Sequence, residues 1–448
     1  MLDLGQLREQ LQQATHSQSE TRALREQQLE RAVRTLHDIR SEWEALQREV
    51  EAEQPRRLVA ALRSDPTRRQ TAPDRPGEVT VVATDGSQIY PDRHVEPTYF
   101  LLNVGRVAFH YGTTEAPVLD AVPNLRFPDD LDAHFDEVLA TMTTEVVSAL
   151  RDEQELAELL ALAHQEKRTS RDLVAFADGT LIRWMIRGMQ NREVEQELIQ
   201  RYTSMLAGFM EDSLPVASYV SMPGNAEVVN LLRFHLNELD EEDITRWRSR
   251  RTRSSDANGA ADAFETPEKA RGVPAAPESR PLSSLEKTGP DTGDAGGVAE
   301  TGDAWEAGPP LAGLLDRHLF GDILDAGERS AVFGSTSHIQ REYPEGNEIC
   351  YFYVQIPVSA ASQEIARVEI PAWVADQPSF VDLIHSVLLA ECKKGSGYPL
   401  VLAEAHERAV IRSHEREAFQ RLLDQTLRRA GLPATGSRKR QSKQRPKV

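Results

Sequence analysis

VTVVATDGSQIYPDR, residues 79–93, opens as a β-branched apolar run from Val79 to Thr84 and ends in an acid, Asp85, followed by small and turn-forming residues. Its counterpart is DLVAFADGT, residues 172–180, a second apolar strand that ends in Asp178. In both stretches the acid is followed by Gly and then by Ser or Thr, which leaves room for a cation or a phosphate against the backbone. A single Asp-Gly dipeptide is most often an ordinary turn or helix cap. Two of them, each closing an apolar strand, point instead to a pair of carboxylates brought to one edge of a sheet.

Working outward, TYFLLNVG (98–105) and RVAFHYG (106–112) read as two further strands, so residues 79–112 predict a three-stranded meander. Residues 129–165 return to helical character. After the 172–180 strand come a helix from Arg192 to Met210, the strand PVASYVSM (215–222) and a short helix from Ala226 to Leu232. This order of strand, strand, strand, helix, strand, helix, strand, with acids ending the first and fourth strands, is that of an RNase H-like α/β domain, a mixed sheet flanked by helices.

Five segments and one helix-breaking connection follow from composition. Residues 1–65 form a long helical arm, nearly free of Gly and Pro up to Glu53; its narrow stripe of Leu29, Val33, Leu36, Ile39 and Trp43 suits helices that pair with each other or with a second copy. Residues 65–78 break the helix with Pro, Asp and Arg. The first part of the catalytic-type domain spans 79–249, and residues 250–310, rich in Gly, Ala, Pro, Ser, Thr and acids, read as a disordered insertion. The second part, 311–433, predicts a helix at 314–324, paired strands at 349–358 and 365–374, a helix at 378–392, and a turn feeding one long helix after Tyr398. The remainder, 434–448, is a basic tail, SRKRQSKQRPK.

Lys and Arg number 52 against 71 Asp and Glu, a net charge of −19, which excludes a generally basic coat and confines any nucleic-acid contact to local patches. Two cysteines, Cys350 and Cys392, lie outside any metal-binding or disulfide pattern, so a reducing compartment is expected. No apolar leader or membrane-length run is present, which predicts a cytoplasmic protein. No Walker A loop is present either, so the chain carries no evident nucleotide motor of its own.

Four segments, VVATDGSQIYPDR, LVAFADGTLIRW, ASYVSMPGNAEVVNLLR and GYPLVLAEAHERAVI, appear in the order found in the NurA nucleases, a family that this chain resembles over roughly residues 79–415 apart from the 250–310 stretch. The resemblance implies an RNase H-like core, manganese-dependent (or magnesium-dependent) 5′–3′ exonuclease and single-strand endonuclease action on DNA ends, a homodimer, and work in end resection and double-strand break repair beside a HerA-like hexameric ATPase. It also implies site residues: Asp85 and Asp178 as metal carboxylates, His406 in EAHERA as a further ligand, and a glutamate on the helix before the second aspartate strand, Glu155 or Glu158, with Glu155 preferred. A helix histidine is usually surface or packing, and most glutamates on such a helix are simply solvated.

Basic residues near these segments are candidates for phosphate contact: Arg183, Arg233, Lys393 and Lys394. Ordinary solubilising charge is the plain alternative for each, and dipole compensation at a helix end for the two lysines. Tyr90, Tyr99 and Tyr398 suit stacking on splayed bases or packing inside the chain. Two other functional classes compete. An actin-like or sugar-kinase ATPase also begins with a strand, an acid turn and a meander, but its turn places one residue between Asp and Gly, which is missing here. A non-catalytic DNA clamp or scaffold is the second, against which stands the joint presence of Asp85, Asp178 and His406.

Overall fold

The computed structural model describes residues 4–91, 95–96, 98–127, 144–183, 192–239, 311–359, 362–431 and 435–436. The 250–310 insertion and all of the 434–448 tail except residues 435–436 lie outside these.

The centre is strand β3, Val79–Ile89. It pairs antiparallel with β5, Phe100–Tyr111, which pairs antiparallel with β6, Val118–Arg126. On its other side β3 runs parallel to β7, Asp172–Asp178, and β7 parallel to β8, Val216–Ser221. The sheet then continues antiparallel through β12, Ser362–Pro371, β11, Ile349–Ser359, β10, Phe333–Ser335, and β1, Ala60–Leu62. Short strands β2, Gln70–Thr71, and β9, Glu328–Arg329, pair beside β11, and β4, Val95–Glu96, pairs with β13, Thr435–Gly436. The order β6–β5–β3–β7–β8 is the mixed α/β core expected from the sequence. β3 and β7 are interior strands covered on both faces, which is why each reads as a continuous apolar run rather than an alternation.

The meander differs from its expected form. Residues 98–112 are not two strands but one, β5, which passes straight through Gly105, and the third strand is β6, which carries Pro123 and mostly exposed residues. Gly105 is a place where a helix backbone lies on the strand, not a turn; β6 is an edge strand, where proline is tolerated and apolar alternation weakens. β3 also outruns its expected end at Asp85. Pairing with β7 stops at Thr84 and Ala177, while pairing with β5 continues to Ile89.

Helices cover both faces. One face carries α3, Thr144–Glu166, backed by α4, Arg192–Glu211. The other carries α8, Pro378–Lys394, and α9, Leu400–Ala409, after the short α7, Ala372–Ala375. The expected single C-terminal helix is broken at Val410–Arg412 and resumes as α10, Ser413–Arg429. The cause is a captured carbonyl: Ala409 O accepts Ser87 Oγ and Asn103 Nδ2, which ends α9 on the strands beneath it. The N-terminal helix α1, Leu4–Asp38, buries Ala32 and Leu36 against α5, Glu227–His235, and α6, Asp316–Ile323, and the turn Ile39–Ser41 and α2, Trp43–Glu53, add Ile39, Leu46 and Val50 to the same core beside β1. The apolar stripe read as a pairing surface is therefore used within the chain. Cys350 and Cys392 are buried and free. Among the described residues, no helix is long and apolar enough to cross a membrane.

Glu238 Oε2 accepts the Leu311 N–H at 2.9 Å, so the described residues on either side of 240–310 are held together. Deleting residues 255–305 is therefore expected to leave the thermal midpoint and the activity close to those of the full chain, since loop length costs little once its ends are held. A misfolded or inactive product would show that the segment is structural.

His385 on α8 is fully buried, its Nε2 at 3.0 Å from Gly327 O, and burial lowers its pKa to about 4, helped by the charge of Arg329. An unfolded chain protonates this imidazole near 6.5. Between pH 6.5 and 4 the unfolded state holds more protons, so stability falls as pH falls through that window, by about 3 kcal/mol in all. His385→Gln can still donate to Gly327 O but cannot titrate, and denaturant melts at pH 7 and pH 5 should show a shallower acid loss for it. An unchanged slope would assign the effect elsewhere.

Candidate functional site

Asp85, Glu155, Asp178 and His406, separated by up to 321 residues, meet where the pairing of β3 with β7 ends. Asp85 and Asp178 point to the face that carries α9. Asp85 Oδ1 accepts the Gly86 N–H at 2.8 Å, and Asp85 Oδ2 lies 2.7 Å from His406 Nδ1. With the carboxylate as acceptor, Nδ1 bears the proton and Nε2 keeps its lone pair on the open side, where the imidazole is 65% exposed.

His406 reaches Asp85 because α9 lies directly on β5. Gly105 is the register partner of Asp85, and a methyl group there would overlap the Ala405 carbonyl and come within 2.6 Å of Ala409 N. Only a residue without Cβ lets the helix come this close.

Asp178 closes β7, is exposed on its outer side, and accepts the Tyr398 hydroxyl at 3.0 Å. Crowding from below raises its pKa, and the charge of Asp85 adds to that; Tyr398, the Gly179 N–H and His406 oppose it. The Tyr398 ring packs edge-on against Tyr219 at 5.4 Å, so this tyrosine is committed to the site and the interior rather than to a base. Tyr90 bonds Gln88 and Ser148, and Tyr99 bonds Gln420 against Phe419, so these rings are likewise used within the chain.

Glu155 comes from the opposite face, on α3. Its carboxylate passes against Gly86, where a methyl group would overlap Oε1 and lie 2.8 Å from its Cγ. Burial pushes its pKa up to about 8, with Asp152 and Asp85 adding to the rise and Arg151 and Arg183 opposing it. Arg151 Nε is 2.9 Å from Oε1, yet poorly aligned, and Oε1 is buried without a hydrogen bond. Glu158, the alternative, pairs with Arg106 at 3.2 Å.

These residues fit a hard divalent cation. Three carboxylates and an imidazole form the oxygen-rich, nitrogen-containing donor set that Mn²⁺ or Mg²⁺ takes, and a buried carboxylate oxygen without a hydrogen bond is free to ligate. A second group, His110, Glu115 and Glu166, is the one set among the described residues whose ligand atoms all lie within 4.8 Å of one another. It sits at the other end of β3 and β5, where His110 faces Thr80. There Arg171 holds Glu115 at 2.7 Å and Arg168 lies 3.7 Å from Glu166, so two guanidiniums already balance the two carboxylates. Compactness favours this second group; charge balance favours the first, because a cation at the second would have to displace both arginines.

The basic candidates are not gathered at the site. Arg183 lies beneath it, 13% exposed, bonded to Asp152 and stacked over Tyr202 at 4.6 Å. Arg233 bonds Asn230 and the Glu238 carbonyl on the α5 side of the molecule. Lys393 is exposed at the end of α8, and Lys394 stands 3.1 Å from the centre of the Tyr111 ring and 3.4 Å from Glu391. The sequence reading passed over Gly105, Arg151, Asp152 and the site use of Tyr398. Only Arg151 and Asp152 left a trace, as charges within one helical turn of Glu155.

Acids at the inner end of neighbouring parallel strands, met by a helix histidine, define a mixed α/β protein with a candidate divalent-metal centre. The NurA domain model matches residues 79–411, and the chain belongs to that family. Among solved structures, the NurA nuclease from Sulfolobus solfataricus is 12% identical, with 81% of this chain and 88% of that one covered at a TM-score of 0.43. A structure of NurA with manganese is 10% identical, with 79% and 91% covered at a TM-score of 0.34. No curated protein matches the chain.

Proposed function

We propose that this protein is a divalent-metal-dependent DNA nuclease whose centre is Asp85, Glu155, Asp178 and His406. The observation that carries this reading is the convergence of three carboxylates and an imidazole at one end of β3 and β7, with a buried Glu155 oxygen free of hydrogen bonds. A bound Mn²⁺ or Mg²⁺ would supply activation of a water and neutralisation of the leaving oxygen. The chain's own part is to hold the donors apart and ready. Gly86 gives Glu155 its path, Tyr398 orients one oxygen of Asp178, and Asp85 holds the His406 ring so that Nε2 faces outward, able to ligate or to take a proton.

Family membership supports the finer reading: 5′–3′ exonuclease and single-strand endonuclease action on DNA, as a cytoplasmic homodimer serving end resection and double-strand break repair beside a HerA-like hexameric ATPase. The absence of a Walker A loop supports dependence on a separate motor for duplex. The test is end-labelled single-stranded and duplex DNA with Mn²⁺ or Mg²⁺, the labelled end reporting polarity, followed by duplex with the ATPase with and without ATP. Metal-dependent shortening is expected from the protein alone, and ATP-dependent duplex degradation in the mixture, weakening as salt rises. Tight nucleotide binding without cleavage would revive the actin-like ATPase, and DNA binding without cleavage at any metal concentration would leave the clamp.

A further inference from the structure

Beneath the candidate centre the charges alternate. Arg183, anchored over Tyr202 and with its backbone N–H on the Tyr343 hydroxyl, donates from Nη1 to Asp152 Oδ2 at 3.1 Å. Asp152 Oδ1 accepts Arg151 Nη2 at 2.7 Å. Arg151 in turn donates from Nη1 to Gln88 Oε1 at 3.2 Å and brings Nε to 2.9 Å from Glu155 Oε1 without aligning a hydrogen bond. One carboxylate thus spends its two oxygens on two guanidiniums, one set in the core and the other beside a candidate metal ligand.

We infer that Asp152 is a positioning residue for the metal centre: by tying Arg151 to the core-anchored Arg183, it keeps the Arg151 guanidinium turned so that it neutralises Glu155 while leaving Glu155 Oε1 without a hydrogen bond. This rests on reading the four converging residues as a metal centre. The geometry explains the choice of residues. Arginine alone can hold Asp152, Gln88 and Glu155 with separate nitrogens, whereas a lysine offers one point charge. Asp152 alone, at 18% exposure, touches both cations. Freed from Asp152, Arg151 would turn its fork squarely onto Glu155, whose Oε1 already lies 2.9 Å from Nε, and compete with a cation for that oxygen. Arg183, a candidate for phosphate contact in the sequence, pairs with Asp152 in this clasp.

The experiment is Mn²⁺ binding to the full chain, read as loss of the free Mn²⁺ electron paramagnetic resonance signal, with cleavage rates measured against Mn²⁺ concentration. Asp152→Asn is expected to weaken Mn²⁺ binding by about tenfold or more, the usual effect of losing a group that orients a ligand, while the rate at saturating Mn²⁺ stays within about threefold. Asp152→Glu should recover most of the affinity. Because Asp152→Asn leaves the Arg183 cation buried without its partner and risks misfolding, Arg151→Lys is the second variant. It keeps the charge, loses the three-way grip, and should show the same shift. Asp85→Ala in the same titration separates the two levels. If Asp85→Ala binds Mn²⁺ like the unaltered protein, the metal-centre reading fails. If Asp85→Ala loses binding while folded Asp152→Asn and Arg151→Lys bind normally, or lose rate equally at all Mn²⁺ concentrations, the positioning role alone fails.

Discussion

On the proposed function, Asp85→Ala and Asp178→Ala are each expected to lower metal-dependent DNA cleavage on the order of 10³-fold or more, the several kcal/mol that loss of a ligand of a catalytic metal costs. Neither change is expected to unfold the protein. Asp85 bonds the Gly86 N–H and His406, Asp178 bonds Tyr398, and neither carboxylate packs in the core. The two acids also repel, since the charge of Asp85 raises the pKa of Asp178, so removing either relieves part of that conflict. The thermal midpoint of each variant should therefore equal or slightly exceed that of the unaltered protein. End-labelled DNA cleavage over a Mn²⁺ titration, with thermal melts beside it, reads both. Undiminished cleavage by either variant removes that residue from the site, and a large drop in the midpoint would mark it as structural.

Gly105→Ala is expected to have the second large effect, from a residue that carries no functional group. The added methyl meets the backbone of α9, the Ala405 carbonyl and Ala409 N, and backbone cannot swing aside as a side chain can. The helix must lift away from β5, and His406 leaves Asp85 with it. Overpacking of this kind costs about 1–3 kcal/mol, and displacement of a catalytic group by about 1 Å costs on the order of 10²-fold in rate. Gly77→Ala is the matched control, since nothing lies within 4 Å of its added carbon. Cleavage and thermal melts of the two variants decide the matter. Activity of Gly105→Ala within twofold of the unaltered protein would mean that the helix position does not govern the site.

The acids were legible in the sequence because they end strands that are buried on both faces. Such strands leave continuous apolar runs, and an acid that interrupts one stands out. The same logic failed at β6, where an edge strand with Pro123 has little apolar signal, and at Gly105, where a glycine inside a strand looks like a turn. Glu155 and Glu158 could not be told apart by periodicity. Three positions along a helix differ by only about 60° of rotation, so both face the sheet; one lies over Gly86 and the other beside Arg106.

What the sequence by itself determined is the order of elements, the mixed sheet, and the two acids, because these follow from local periodicity and from residue types that only one backbone environment accommodates. What only the tertiary structure decided is where the long helices dock, where α9 ends, which of the two glutamates lies over Gly86, and that Arg183 is paired with Asp152. Those outcomes depend on contacts between residues far apart in the chain. Composition shows which partners a side chain can accept, and only packing of one element on another selects the partner it meets.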